Sequence, residues 1–364
     1  MTEPTKNLTL FVGTYTRQEP HLVSANGEGV YVYELDLATG KIDYLSKIGG
    51  IVNPSYLAVD AVRNRLFAVS EIGENEVGGV SAYAIDPSTK ALSHLNTQQA
   101  QGTAACYISA DPAGRFVLTA NYGTGNVLML PTPADSGLGS ASDMAQHVGQ
   151  GPNVDRQEGP HAHSVVIDPT GNYAFAADLG ADKIFGYKID ASAGKLIPHE
   201  SLSLEAGSGP RHLVFHPNGQ LAYLIQELDQ KITAMRYDRS NGSFEIIETV
   251  STLPDDFDGV SHCADIHLSP SGDFLYGSNR GHDSIVIYAV DGATGRLTLV
   301  GFESTQGEIP RNFVIDPTGT FLLVANQNSD TVVTFRIDPK TGELRPTGHV
   351  AQVPTLVCLK IADL

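Results

Sequence analysis

The sequence predicts an all-β protein: a seven-bladed β-propeller of four-stranded antiparallel blades, with residues 1–364 forming one domain. Three observations predict it. A turn motif, D-P-x-G before an apolar run, recurs at Asp111-Pro112-Ala113-Gly114, Asp168-Pro169-Thr170-Gly171 and Asp316-Pro317-Thr318-Gly319. Variants stand at His216-Pro217-Asn218-Gly219 and Ser269-Pro270-Ser271-Gly272, with a degenerate copy from Asp60. Successive starts are 51, 57, 48, 53 and 47 residues apart, close to the roughly 40–50 residues of a propeller blade and about half the spacing of tandem sandwich domains. The second observation is another motif that follows each turn, and the third is a composition with 37 Gly and 20 Pro and no sustained helical period.

The elements follow in order within each unit. Proline at the second turn position fixes φ and glycine supplies the positive φ of a tight hairpin, so the motif joins the first strand to the second. Residues 116–120, 221–225 and 321–325 are continuous apolar runs, as expected of second strands buried on both faces. An aromatic-centred third strand ending in I/V-D-x-x-T-G then spans residues 31–40, 83–90, 185–194, 235–242, 287–295 and 333–342. A weaker copy at 126–137 has Pro133 where the Asp is expected. Seven copies of this motif against six turns imply that residues 355–361 pair with residues 8–13, so that both termini share one blade and close the ring. The absence of Trp excludes a WD-repeat propeller. The stretches 131–159, 17–29 and 254–259 depart most from the repeat and are expected over one mouth of the ring.

Lys+Arg 23 against Asp+Glu 41 leaves a formal charge of −18, a field that repels phosphate backbones and anionic lipid, so neither nucleic acid nor membrane is expected as a partner. The start MTEPTKNLTL has no export pattern and no apolar run is long enough to span a bilayer, which points to a cytoplasmic protein. Cys106, Cys263 and Cys358 are odd in number and lie in apolar surroundings, which fits packed, reduced thiols. No G-x-S-x-G elbow, P-loop or dinucleotide fingerprint occurs.

Aligning the units on the turn exposes a site in their differences. Five residues before each turn stand Ser55, Cys106, His163, Arg211, Ala264 and Arg311, with Thr355 placed in the shared blade; two residues earlier come Asn53, Ala104, His161, Gly209, His262 and Ile309. At the end of the second strand come Glu71, Tyr122, Leu179, Glu227, Arg280 and Gln327, preceded by Ser70, Asn121, Asp178, Gln226, Asn279 and Asn326. A repeat built only for packing would carry similar apolar residues at these inner positions, because buried polar groups are costly unpaired. A hydrated channel explains any one of them. The set His161, His163, Arg211, His212, Glu227, His262, Arg280 and Arg311 instead suggests a focused anion site in an acidic protein. His161 and His163 at i and i+2 also fit a zinc chelate with Glu227 or His262, but the neighbouring arginines oppose a dication, and no metal is expected. Asp255, Asp256 and Asp258 lack the ligand spacing of a calcium loop and read as a solvated acidic run.

Six segments together resemble the lactonase family of seven-bladed propellers, whose members include propeller-type 6-phosphogluconolactonases and a fungal carboxymuconate cyclase: Leu10-Phe11-Val12-Gly13-Thr14-Tyr15, Gly159-Pro160-His161-Ala162-His163, Gly209-Pro210-Arg211-His212, Leu224-Ile225-Gln226-Glu227, Leu275-Tyr276-Gly277-Ser278-Asn279-Arg280 and Ile309-Pro310-Arg311-Asn312-Phe313. The resemblance covers essentially the whole chain. It implies hydrolysis of a phosphosugar lactone, with a small anionic substrate and no cofactor, and places His163, Arg211, Glu227 and Arg280 at positions proposed for the cyclase's active site. In this reading Glu227 is the first candidate for general base and His163 the second, while Arg211, Arg280 and Arg311 meet phosphate or the carbonyl oxygen. His161, His212, His262, Asn312 and Gln327 complete the expected substrate contacts. A lactonising cyclase and a noncatalytic binding propeller are the alternatives.

Overall fold

The structure, a computed structural model, describes residues 7–73, 76–134 and 136–364. It contains seven antiparallel sheets whose four main strands run from the centre outward in chain order in six of them, the seventh having the C-terminal strand innermost. Pro210–Phe215, Leu221–Gln226, Lys231–Asp238 and Ser243–Ser251 make one such blade, and the blade containing Ala162–Ile167 carries a short fifth strand, Leu202–Ser203. The innermost strands touch one another in cyclic order, from Leu57–Asp60 round to Leu356–Ala362 and back. Among the described residues the only helical element is the 3₁₀ turn Gln327–Ser329.

Closure is as the repeat arithmetic requires. Leu356–Ala362 pairs with Leu8–Thr14, Thr9 opposite Ala362 and Gly13 opposite Cys358, and Val30–Leu35 and Ile42–Ile48 complete that blade. The core lies between neighbouring blades, where second strands such as Leu221–Gln226 are buried along their length and Tyr223, Tyr276 and Phe175 are almost fully buried.

The two repeated motifs act as anticipated. In the turns, Gly114, Gly171, Gly219, Gly272 and Gly319 donate their N–H to the carbonyl three residues back, with φ between 65° and 83°. The first residue of the motif is an acceptor in every variant: Asp168 Oδ1 takes the Asn172 and Tyr173 N–H groups, His216 Nδ1 that of Asn218, and Ser269 Oγ that of Phe274. This is why Asp, His and Ser interchange there.

Six of the seven inner strands carry an irregularity near their start, Leu57–Asp60 being the one that pairs without a shift. Ala162 and Ser164 pair with Asp178 and Ala177, leaving His163 without an opposite residue. Cys106, Arg211 and Arg311 are extra in the same way, as is Val357 in the closing blade. A β-bulge re-aims the side chain of its extra residue, and here the bulges bring Cys106, His163, Arg211, Arg311 and Val357 to one central cavity.

Candidate active site

A second repeated contact holds the site together. The carbonyls of Asn53, Ala104, His161, Gly209 and Ile309 accept N–H bonds from Glu71, Tyr122, Leu179, Glu227 and Gln327. The end of each second strand is thereby fixed beside the start of its own inner strand. In the closing blade Thr355 O accepts from Tyr15 N at 3.0 Å, and Thr355 has a φ of 46°, like Asn53, Ala104 and Ile309 at 45°, 50° and 56°. This corrects the sequence alignment by two residues: Thr355 belongs with Asn53, the bulged position is Val357, and Tyr15 is the seventh member of the Glu227 column.

Glu227 is the hub. Its Oε1 lies 2.6 Å from Arg156 Nη2, and its Oε2 lies 2.9 Å from both Arg211 Nε and Arg280 Nη2 and 3.8 Å from His163 Nε2. Burial alone would raise its pKa, but the charges of Arg280, Arg211 and Arg156 outweigh that and hold it well below the ordinary carboxylate value. Burial, and then the charge of Arg211, push His163 well below an ordinary histidine, with Glu227 opposing, so its imidazole is neutral near pH 7. Arg280 is lowered to about 10 by burial against the pull of Glu227 and stays cationic. It also donates to Cys263 O at 2.9 Å.

Arg211 is held further by bonds from Nη1 to Ala264 O and to His212 Nε2, at 2.6 and 3.1 Å. An arginine only donates, so His212 accepts at Nε2 and carries its proton on Nδ1, which it gives to Asp265 Oδ1 at 2.7 Å. Burial and Arg211 lower His212 to about 4. Asn312 turns away from the channel: Nδ2 donates to Asp265 Oδ2 and Oδ1 accepts Leu359 N. It braces His212 through Asp265 and is not available to a ligand. Asn121, Asn279 and Asn326 are likewise structural, each donating to the carbonyl of an incoming loop, at Ala100, Thr252 and Thr305.

Ser55 and the bulged residues Cys106, His163, Arg211, Arg311 and Val357 enclose a cavity of about 10 Å³, with Tyr56, Glu71 and His212 in its wall. That is the scale of a single water site. Arg311 lies over the Tyr15 ring, 5.9 Å from its centroid, with Glu71 Oε1 4.0 Å away. His161 stacks on Tyr122 at 4.5 Å and donates Nδ1–H to Tyr122 O, while Nε2 faces Glu158 Oε1 at 3.1 Å. Its ring nitrogens therefore do not converge with those of His163 on a common point, and among the described residues no His, Cys, Asp or Glu group is arranged to hold a metal. Asp255, Asp256 and Asp258 are exposed.

Gln327 joins no ion pair of the cluster, bonding only weakly to Asn328 at 3.5 Å. Yet Gln327 Oε1, His262 Nδ1, Arg280 Nε and Ser55 Oγ, all from the repeat columns, are buried without a partner among the described residues. Asn121 Oδ1 and Asn326 Oδ1, from the neighbouring column, are buried in the same way, so the inner ends of the blades carry more polar atoms than the protein itself pairs, where buried polar atoms are normally paired. Sequence reasoning missed Arg156, on an irregular loop where no repeat column exists, and Tyr15, hidden by the two-residue slip. The loops expected over one mouth do reach the channel in part: Arg156 comes from one, His21, 3.9 Å from Glu71, from another. Ser261, just beyond the third, donates to Arg280 O.

The chain resembles known proteins over most of its length. It is 39% identical to the 6-phosphogluconolactonase of Bacillus subtilis over 306 residues, covering 84% of each chain. It is 35% identical to that of Formosa agariphila, over 84% of this chain and 86% of the other. The solved structure of the Pseudomonas aeruginosa periplasmic gluconolactonase matches with a TM-score of 0.90 at 34% identity, over 98% of this chain and 99% of that one. The family described as "Lactonase, 7-bladed beta-propeller" matches residues 9–361, and the chain belongs to it.

Proposed function

We propose that the protein hydrolyses a phosphosugar lactone, 6-phosphogluconolactone to 6-phosphogluconate, in the cytoplasm. The observation that carries the reading is the neutral, buried His163 set between Arg211, Arg311 and Glu227 at a water-sized cavity. The names of the Bacillus and Formosa relatives support the substrate, and the four arginines in and at the mouth of the channel suit a dianion. Three buried, unpaired thiols support a reducing compartment.

In this scheme His163 takes a proton from the water that attacks the lactone carbonyl, and returns it to the ring oxygen as the acyl–oxygen bond breaks. A positioned base of this kind contributes about 10²–10⁴-fold. Arg211 or Arg311 faces the carbonyl oxygen as it becomes negative, a contact whose loss costs about 10²–10³-fold in comparable sites. Glu227 is a poor base, because three guanidinium groups occupy its oxygens and stabilise its charged form. Its role is to gather the arginines and stabilise protonated His163. This moves the base from Glu227, the first choice of the sequence, to His163. Arg156, the most exposed of the arginines on Glu227, stands where a phosphate arrives.

A pH-stat or coupled dehydrogenase assay with fresh 6-phosphogluconolactone tests the reading. Wild type should exceed the spontaneous rate clearly, His163→Gln and Arg211→Ala should each lose about 10²-fold or more, and EDTA should have no effect. A wild-type rate equal to background overturns it; turnover of a muconate in its place selects the cyclase.

A further inference from the structure

Three blades round the ring from Glu227, a second buried carboxylate faces the same cavity and is held quite differently. Glu71 is 7% exposed and lines the cavity with His163, Arg211 and Arg311. Its Oε2 accepts the Tyr15 hydroxyl at 3.0 Å. Its Oε1 has no donor within hydrogen-bonding distance among the described residues: the nearest side-chain nitrogens of basic residues are His21 Nε2 at 3.9 Å and Arg311 Nη2 at 4.0 Å. A carboxylate kept only to neutralise Arg311 would meet it in a close, two-point ion pair. This one leaves an acceptor oxygen facing the cavity. Burial, with Glu71 beside it, raises Tyr15 well above an ordinary tyrosine, so the phenol remains a donor and pins the other oxygen in place.

We propose that Glu71 is the hydroxyl acceptor of this site, selecting a polyhydroxylated lactone ring over a carboxylated one. An ionised carboxylate accepts hydrogen bonds and cannot donate them. It therefore rewards a ligand that brings O–H groups and repels one that brings a second carboxylate. The channel is thus divided: Arg156 and Arg280, on Glu227, take the anionic end, and Glu71 with Tyr15 takes a ring hydroxyl at the water-sized cavity. The choice of sugar ring as the substrate class rests on the lactonase reading above.

Calorimetric binding separates the two. The probes are D-glucono-δ-lactam, an uncharged polyhydroxylated ring that resists hydrolysis, and inorganic phosphate. Glu71→Gln should weaken lactam binding by about tenfold or more, while phosphate binds as well or more tightly because a negative charge has left the cavity. Tyr15→Phe should weaken the lactam in the same direction by a smaller factor. General damage to the site would weaken both probes together. Equal lactam affinity in wild type and Glu71→Gln, a parallel loss of lactam and phosphate, or a wild type that does not bind the lactam each overturns the inference. Turnover of 6-phosphogluconolactone by wild type, measured alongside, judges the hydrolase reading separately.

Discussion

At the scale of single residues, the division of labour proposed for His163 and Glu227 sets the expected pH behaviour. His163 sits below its ordinary pKa, so the base stays unprotonated through neutrality, and kcat/KM should be flat there and fall only in acid, well under pH 6.5. The charge of Glu227 raises the His163 pKa against burial and Arg211. Removing that charge in Glu227→Gln lowers the His163 pKa further, so the acid limb should move to lower pH even as the maximum rate drops. A pH–rate profile of the two proteins checks this; an acid limb that moves upward or disappears would show Glu227 to be the titrating base. His163, Arg211, Arg311, Glu227 and Arg280 were legible because a repeat offers its own comparison, and a histidine or arginine where sister blades have Ser or Ala stands out. Arg156 was not, since its loop has no counterpart in the other blades. Asn312 misled because its neighbour Arg311 is the bulged residue, which leaves Asn312 on the outer side, bonded to Asp265 and Leu359.

At the scale of elements, the glycine that ends each third-strand motif has a second task, invisible in one copy of the pattern. Gly342 donates its N–H to Asp338 O, and its φ of 75° carries it against the ring of Phe274 in the preceding blade. Gly242 meets Tyr173 and Gly40 meets Phe321 in the same way. A Cβ at Gly342 would lie 2.3 Å from Phe274 Cδ1. Gly342→Ala should therefore combine backbone strain of about 1 kcal/mol with overpacking of about 1–3 kcal/mol, while kinetics at the distant site stay unchanged. Gly348 is the control, with a φ of 82° and nothing within 4 Å of a Cβ, so Gly348→Ala should show the strain alone. Denaturant unfolding of both variants measures the difference, and equal losses would refute the interlock between blades. The turn residues were legible because Pro and Gly act locally. The bulges were not: they answer to strand pairing across the blade, and Thr355, in the shared blade with no turn motif after it to fix the register, was placed two residues out of column.

At the scale of the whole molecule, the ring depends on a strand contributed by the far end of the chain. Leu356, Val357, Cys358 and Leu359 are each no more than 2% exposed, packed between the Leu8–Thr14 strand and the neighbouring blades. Leu359 N is bound by Asn312, and Val357 walls the cavity. At about 1.5–3 kcal/mol for each large apolar side chain, this strand contributes roughly 6–12 kcal/mol, as much as the total stability of about 5–15 kcal/mol that a native protein has. It is also what keeps the first and last blades from presenting open edges, which pair promiscuously. Deleting residues 355–364 should therefore abolish cooperative unfolding and lactone turnover together and leave an aggregation-prone chain, instead of a six-bladed remnant with partial activity. Adding a synthetic peptide of residues 355–364 during refolding should restore both, since the missing strand needs only its hydrogen-bonding edge and its buried slot. Circular dichroism melts and the lactone assay read the outcome. A truncated protein that melts cooperatively near the wild-type temperature would show that the other six blades hold the ring without it.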